Sequence, residues 1–97
     1  MLKKIIYSDE FIRLDLKQHD DLMVIARKLK LPLLSKLSEF YANNLRYGIL
    51  ELDEVDNEIN KVLDVLTEPE SIKLLNNLKS LILLAKKENK PIQVLTD

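Results

Sequence analysis

The sequence predicts a mainly α-helical protein with four helices, a short N-terminal strand and room for a short C-terminal strand at 92–95. Two observations predict this fold class. Apolar residues recur at three- and four-residue intervals through most of the chain, the spacing that places them on one face of a helix. Residues 2–16 lack that spacing and are typical of an extended segment. The alternative is an α+β fold that begins with an N-terminal β-hairpin.

The first helix is predicted near 16–30. Residues 11–16 alternate between apolar and polar positions, which is typical of a half-buried strand. The run Leu22–Ala26 then fits either a strand or a buried helix, and the length of the segment favours a helix with Asp15 as its N-cap. The hairpin alternative pairs 11–16 with 22–27 instead.

Two further helices are predicted at 33–47 and 51–66. Pro32 interrupts the helical pattern because it lacks a backbone N–H, and the pattern resumes after it. Gly48, the only glycine, is the natural C-terminal cap of the second helix. The third helix has acidic residues in its early turns and a single apolar stripe, which is typical of a surface helix. That stripe comprises Leu52, Val55, Ile59, Val62, Leu63 and Leu66.

The fourth helix, predicted at 68–89, carries the most apolar surface and is expected to be the buried central helix. Thr67 and Glu70 have the spacing of a capping box at its start. Asn89 is suited to a left-handed cap at its end. The broad apolar face comprises Leu74, Leu75, Leu78, Leu81, Ile82 and Ala85.

Composition indicates one small domain, 1–97, with 46% hydrophobic and 32% charged residues. Its charge is uneven: residues 1–48, a strand-helix-helix half, have nine Lys/Arg against six Asp/Glu. Residues 49–97, an acidic half with two helices and the C-terminal strand, have six against ten. The chain has no cysteine and no apolar run near the roughly 20 residues that cross a bilayer, so we expect a cytoplasmic protein without membrane contact.

The residue types present argue against catalysis. One glycine excludes a glycine-rich phosphate loop, and a single histidine excludes a histidine-based catalytic or metal constellation within one chain. We expect that histidine, His19, to lie on the surface. The acidic run Glu51–Glu58 lacks the glycine turn and ligand spacing of a calcium loop, so it is expected to be a solvated helix face. We therefore predict no enzyme activity, no cofactor, no metal and no small-molecule substrate.

Residues 11–47 contain a pattern of a strand end, a helix and a turn into a second helix. The residues of this pattern are Arg13-Leu14-Asp15, His19-Asp20, Leu22, Ile25-Ala26, Leu29, Leu31-Pro32 and Leu37. The pattern resembles the ribbon-helix-helix family of small DNA-binding repressors and antitoxins. The resemblance implies an intertwined homodimer in which two copies of 11–14 pair antiparallel and enter a major groove, with Asp9, Phe11 and Arg13 facing the bases. Lys30 stands between the two helices, where the family usually carries glycine.

The leading hypothesis for function is a small dimeric DNA-binding transcriptional regulator or antitoxin-like protein. Its DNA-binding residues would be Arg13, Phe11, Lys3, Lys4 and Lys36. The alternative is a protein–protein interaction module that does not bind DNA, such as an immunity or adaptor protein. In that case the acidic helix would bind a partner through Glu51, Glu54 and Glu58.

A homodimer is expected because several apolar residues fall outside the main stripes of their helices. Ile72 and Leu83 are spaced by about three turns and form a second stripe on the central helix. Val24 and Val65 lie off the stripes of the first and third helices. Together they are more apolar surface than a small monomer needs to expose.

Overall fold

The computed structural model describes residues 3–7, 10–38 and 45–96, with side chains for 11–37 and 45–94. The prediction of a mainly α-helical fold with short N- and C-terminal strands is confirmed. The helices are α1 (Leu16–Lys28), α2 (Pro32–Ser35), α3 (Leu52–Leu63) and α4 (Pro69–Glu88). The strands are β1 (Lys3–Tyr7), β2 (Glu10–Leu14), β3 (Leu45–Tyr47) and β4 (Ile92–Thr96).

The four strands form one antiparallel sheet in the order β2-β1-β4-β3. β1 and β2 are consecutive and pair as a hairpin, and β4 lies beside β1, so the C-terminal strand neighbours the N-terminal one as predicted. The hairpin alternative at 11–16 and 22–27 is wrong, because residues 16–28 form α1. β2 and β3 are the two edge strands.

The predicted helix at 33–47 is wrong at its C-terminal end, and only its first residues are α-helical among those the structure describes. α2 spans only Pro32–Ser35 and continues as a 3₁₀ turn, Lys36–Ser38. Residues 39–44 of the prediction lie outside the described residues, and 45–47 pair with β4 as β3. Gly48 is therefore not a C-terminal cap: with φ −70° it is the N-cap residue of a 3₁₀ turn, Ile49–Glu51, that leads into α3.

α1 has the predicted N-cap. The Asp15 carboxylate accepts a hydrogen bond from the Gln18 backbone N–H at 2.7 Å, and the Gln18 side chain accepts one from the Asp15 N–H at 3.0 Å. This reciprocal pair satisfies two N–H groups that the first turn leaves without helical partners. The helix ends before Lys30, which has φ 57°, and the Leu31 N–H then reaches back to the Ala26 carbonyl at 2.8 Å.

α4 begins at Pro69, whereas a capping box with Thr67 as the N-cap would make Glu68 the first residue of the helix. Glu68 occupies the N-cap position and no side chain caps it, so the Thr67–Glu70 capping box is wrong. The end is as predicted, because Asn89 is left-handed at φ 58° and the Lys90 N–H bonds to the Ala85 carbonyl at 3.0 Å.

α4 is the central helix, because it contacts β1 and β2 and also packs against α3. Leu75, Leu78, Leu81, Ile82 and Ala85 on its predicted face are buried in one hydrophobic cluster that spans both halves of the chain. Leu83, on the second stripe, is 56% exposed. Within the described part of the chain, no helix is both long and apolar enough to cross a membrane.

Candidate nucleic-acid interface

β2 places two of the predicted DNA-binding residues on the outward face of the sheet. Successive side chains of a strand point to opposite faces. Leu14 is buried and Ile12 is half-buried against the core, whereas Phe11 and Arg13 are exposed. The hydrophobic alternation of β2 therefore fixes which residues face solvent, because a shift by one residue would bury Arg13.

Phe11 and Arg13 contact each other on that face. The guanidinium carbon of Arg13 lies 5.4 Å from the centroid of the Phe11 ring, and Phe11 is 50% exposed. A cation over an aromatic face at an exposed site contributes about 0.5 to 1 kcal/mol. The contact orients the guanidinium along the outward face while leaving much of the ring accessible to solvent.

The sheet register extends this face across all four strands. Ile6 of β1 pairs with Phe11 on one side and with Gln93 of β4 on the other, and Gln93 pairs with Arg46 of β3. Gln93 and Arg46 are both exposed. We call Phe11, Arg13, Gln93 and Arg46 the outward face. Arg46 was not among the predicted DNA-binding residues, because the sequence pattern placed it near the end of a helix at 33–47.

The backbone of Lys3 and Lys4, two further predicted DNA-binding residues, lies in β1. Lys3 is the register partner of Leu14, and Lys4 that of Arg13. The four strands together contain four basic residues and one acidic residue. The sheet is therefore cationic in a chain whose net charge is −1. Asp9, which was predicted to face the bases, lies outside the described residues.

Lys36 is separate from this surface. It lies in the 3₁₀ turn after α2, and its Nζ is 3.3 Å from the Glu51 carboxylate. The Gly48 backbone N–H also donates to Glu51, at 2.9 Å. These two contacts, the backbone one first, lower the pKa of Glu51. One predicted DNA-binding residue and one predicted partner-binding residue thus neutralise each other.

The predicted acidic face of α3 is only partly exposed. Glu54 is exposed, but the expectation that Glu58 is solvated is wrong: its side chain is 0% exposed. Its carboxylate oxygens accept hydrogen bonds from the backbone N–H groups of Leu33 at 3.1 Å and Leu34 at 2.8 Å. Glu58 therefore serves as a remote cap for α2, whose first turn has no cap of its own.

The sequence contained a signal for the burial of Glu58. It follows Val55 by three residues and precedes Val62 by four, so it falls on the apolar stripe of α3. Two other acids of α3, Asp53 and Asp56, face lysines of α4. Asp53 bonds with Lys86, which raises the pKa of that lysine, and Asp56 lies 4.0 Å from Lys79.

Two further polar side chains are buried. The Tyr47 hydroxyl donates to the Leu33 carbonyl at 2.6 Å; its pKa is raised well above the usual range, first by burial and then by the charges of Glu58 and Glu51. The expectation that His19 lies on the surface is also wrong, because it is 8% exposed. Its Nε2 lies 3.2 Å from the Leu37 carbonyl oxygen. The first contact ties α2 to β3, and the second ties the 3₁₀ turn after α2 to α1.

No group of three acidic or histidine side chains is arranged to hold a metal ion in the part of the chain that the structure describes. Comparison of the chain with protein-family models, with curated proteins and with solved structures finds no match. The function is therefore inferred from the outward face itself.

Proposed function

We propose that this protein is a small dimeric DNA-binding regulator and that DNA contacts it across the outward face. The observation that carries this proposal is that Arg13 and Arg46 are exposed on one sheet face and neither is in an ion pair with a described side chain. Guanidinium groups that face solvent attract phosphates and displace their counterions. The resemblance of 11–47 to ribbon-helix-helix proteins points to the same strand.

The contrast with the acidic helix supports this choice of surface. On α3, Asp53 and Asp56 face lysines of α4, and Glu58 is buried. Glu54 is the acid of the predicted partner site that is exposed and in no ion pair with a described side chain. A basic protein would therefore meet little net negative charge there, whereas a phosphate backbone meets the exposed guanidinium groups of Arg13 and Arg46 on the outward face.

Dimerisation fits the open edge of β2. Within the described residues β2 pairs only with β1, so half of its backbone groups are available to another strand. Antiparallel pairing about a two-fold axis at Ile12 would set Phe11 of one copy opposite Arg13 of the other. That is the same ring–guanidinium pair that forms within one strand. Such a dimer would carry two outward faces side by side.

The test is a titration by fluorescence anisotropy at low salt. The probe is a mixed-sequence duplex with a single-stranded tail, so that it offers DNA in both forms. We expect binding that weakens steeply as salt rises, and Arg13→Ala should weaken it by about 1 to 3 kcal/mol. Arg27→Ala, which removes the same charge from an exposed position on α1, is the matched control and should bind as the parent does.

Light scattering at tens of micromolar should give twice the monomer mass. A monomer at that concentration would contradict the dimer. Absence of binding to the tailed duplex at low salt, or equal losses for Arg13→Ala and Arg27→Ala, would contradict the DNA-binding proposal.

A second candidate function is the interaction module without DNA binding. It is favoured by a groove between α1 and the connection from α3 to α4, where Val24 and Val65 converge. Both valines are more than half exposed, and Asp21 and Glu68 also line the groove. An apolar groove with acidic neighbours suits a partner segment that is apolar and basic. If the protein does not bind DNA in the titration above, this groove becomes the candidate binding site for a protein partner.

A further inference from the structure

The outward face is wider than the groove of duplex DNA. The row from Arg46 through Gln93 and Ile6 to Phe11 crosses four strands. Three strand spacings amount to about 14 Å. The major groove of B-form DNA is about 12 Å wide and admits one helix or a two-stranded ribbon. The whole row therefore cannot enter the groove of a duplex, whereas a single strand of DNA can lie across it.

The chemistry of the face suits the flat surfaces of bases better than their edges. Phe11 offers no hydrogen bond to a base edge, but its ring is half exposed and the Arg13 guanidinium lies over it. Aromatic rings and guanidinium planes both stack on bases. In a duplex those base surfaces are covered by neighbouring base pairs, whereas in a single strand they are open.

On the basis of the DNA-binding function proposed above, we infer that the ligand of the outward face is single-stranded DNA. One base stacks on the Phe11–Arg13 pair, and the phosphates beside it run across the sheet toward Arg46. Within the sheet of one chain the two guanidinium groups lie on the first and last strands of the order β2-β1-β4-β3, so a DNA strand that crosses those four strands meets positive charge at both ends. Because every base has a flat surface, this binding has weak sequence preference.

The experiment compares one labelled strand of mixed sequence, alone and annealed to its complement, in anisotropy titrations at the same low salt. We expect the single strand to bind more tightly than the duplex. Phe11→Leu, which keeps an apolar side chain and removes the ring, should weaken single-strand binding by roughly 5- to 150-fold. Phe11→Tyr keeps the ring and should bind within about twofold of the parent.

Leu83→Ala is the matched control, since Leu83 is an equally exposed apolar residue on α4. Circular dichroism of each variant shows whether it is folded. Duplex binding as tight as single-strand binding would overturn the inference and leave the DNA-binding function standing, and so would parental affinity in Phe11→Leu. Failure of the parent to bind either form would overturn the DNA-binding function itself.

Discussion

The helical layer and the outward face of the sheet differ in what their charged groups contact. On α3, Asp53 and Asp56 face Lys86 and Lys79 of α4, and Glu58 is buried on backbone N–H groups. On the outward face, Arg13 contacts an aromatic ring and is in no ion pair with a described side chain. Charged groups that pair within the protein contribute to its stability, whereas charged groups that face solvent can bind a ligand. The two regions should therefore respond differently to substitution.

The largest loss of stability is expected in the central helix. Leu78 is buried in the hydrophobic core, so Leu78→Ala should lower the free energy of unfolding by about 2 to 5 kcal/mol. Leu83→Ala, on the exposed side of the same helix, should change it by less than about 1 kcal/mol. Urea denaturation followed by circular dichroism measures both. If Leu78→Ala unfolds at the parental midpoint, α4 is not the central helix.

The next largest effect concerns Glu58. Removing its carboxylate leaves the N–H groups of Leu33 and Leu34 buried without partners, so Glu58→Ala should cost roughly 2 to 4 kcal/mol. Glu54→Ala, one turn earlier on the exposed side of α3, should cost less than about 0.5 kcal/mol. Thermal unfolding of the two variants compares the loss of a buried carboxylate with the loss of an exposed one. Equal losses would show that Glu58 does not cap α2.

A smaller effect, of opposite sign, is expected at the end of α1. Lys30 is left-handed at φ 57°, a conformation that costs a non-glycine residue about 1 kcal/mol. Lys30→Gly should therefore stabilise the protein by about 0.5 to 1 kcal/mol. Asn89 has nearly the same φ, but asparagine tolerates it better, so Asn89→Gly should gain less. A denaturant midpoint that falls in Lys30→Gly would contradict the left-handed assignment.

The smallest effect on stability is expected on the outward face. Arg46 is exposed on the edge strand β3, so Arg46→Ala should shift the free energy of unfolding by no more than about 0.5 kcal/mol. DNA affinity should fall in the same variant, because the phosphate contact is lost. Differential scanning calorimetry measures the change in stability, and the anisotropy titration measures the change in DNA affinity. A large loss of stability would show that Arg46 contributes to packing, as the charged residues of the helical layer do, and would contradict its assignment to the outward face.

Local patterns predicted several elements correctly. Asp15 starts α1 as the predicted N-cap, through a contact with a residue three positions later, and Asn89 ends α4 through its own preference for a left-handed backbone. The apolar face of α4 follows from helical spacing alone. These features depend on neighbours in the chain, which is why sequence analysis can find them.

The positions of two predicted site residues, Glu58 and Lys36, are set by partners that lie far away in the sequence. Glu58 is buried because α2 packs against α3 and presents two N–H groups that need acceptors, 25 and 24 residues away. Lys36 pairs with Glu51, 15 residues away. Neither partner is indicated by local spacing.

By itself, the sequence determined the helical class, the central helix and the alternation that turns Phe11 and Arg13 to one side of a strand. Only the tertiary structure decided that 45–47 is a strand. Leu45 and Tyr47 fit either a helix or a strand locally, and pairing with β4 supplies the backbone hydrogen bonds that select the strand. The same pairing brings Arg46 onto the face that carries Arg13. Strand partners far apart in the chain meet through backbone groups common to all residues, so sequence spacing cannot identify them.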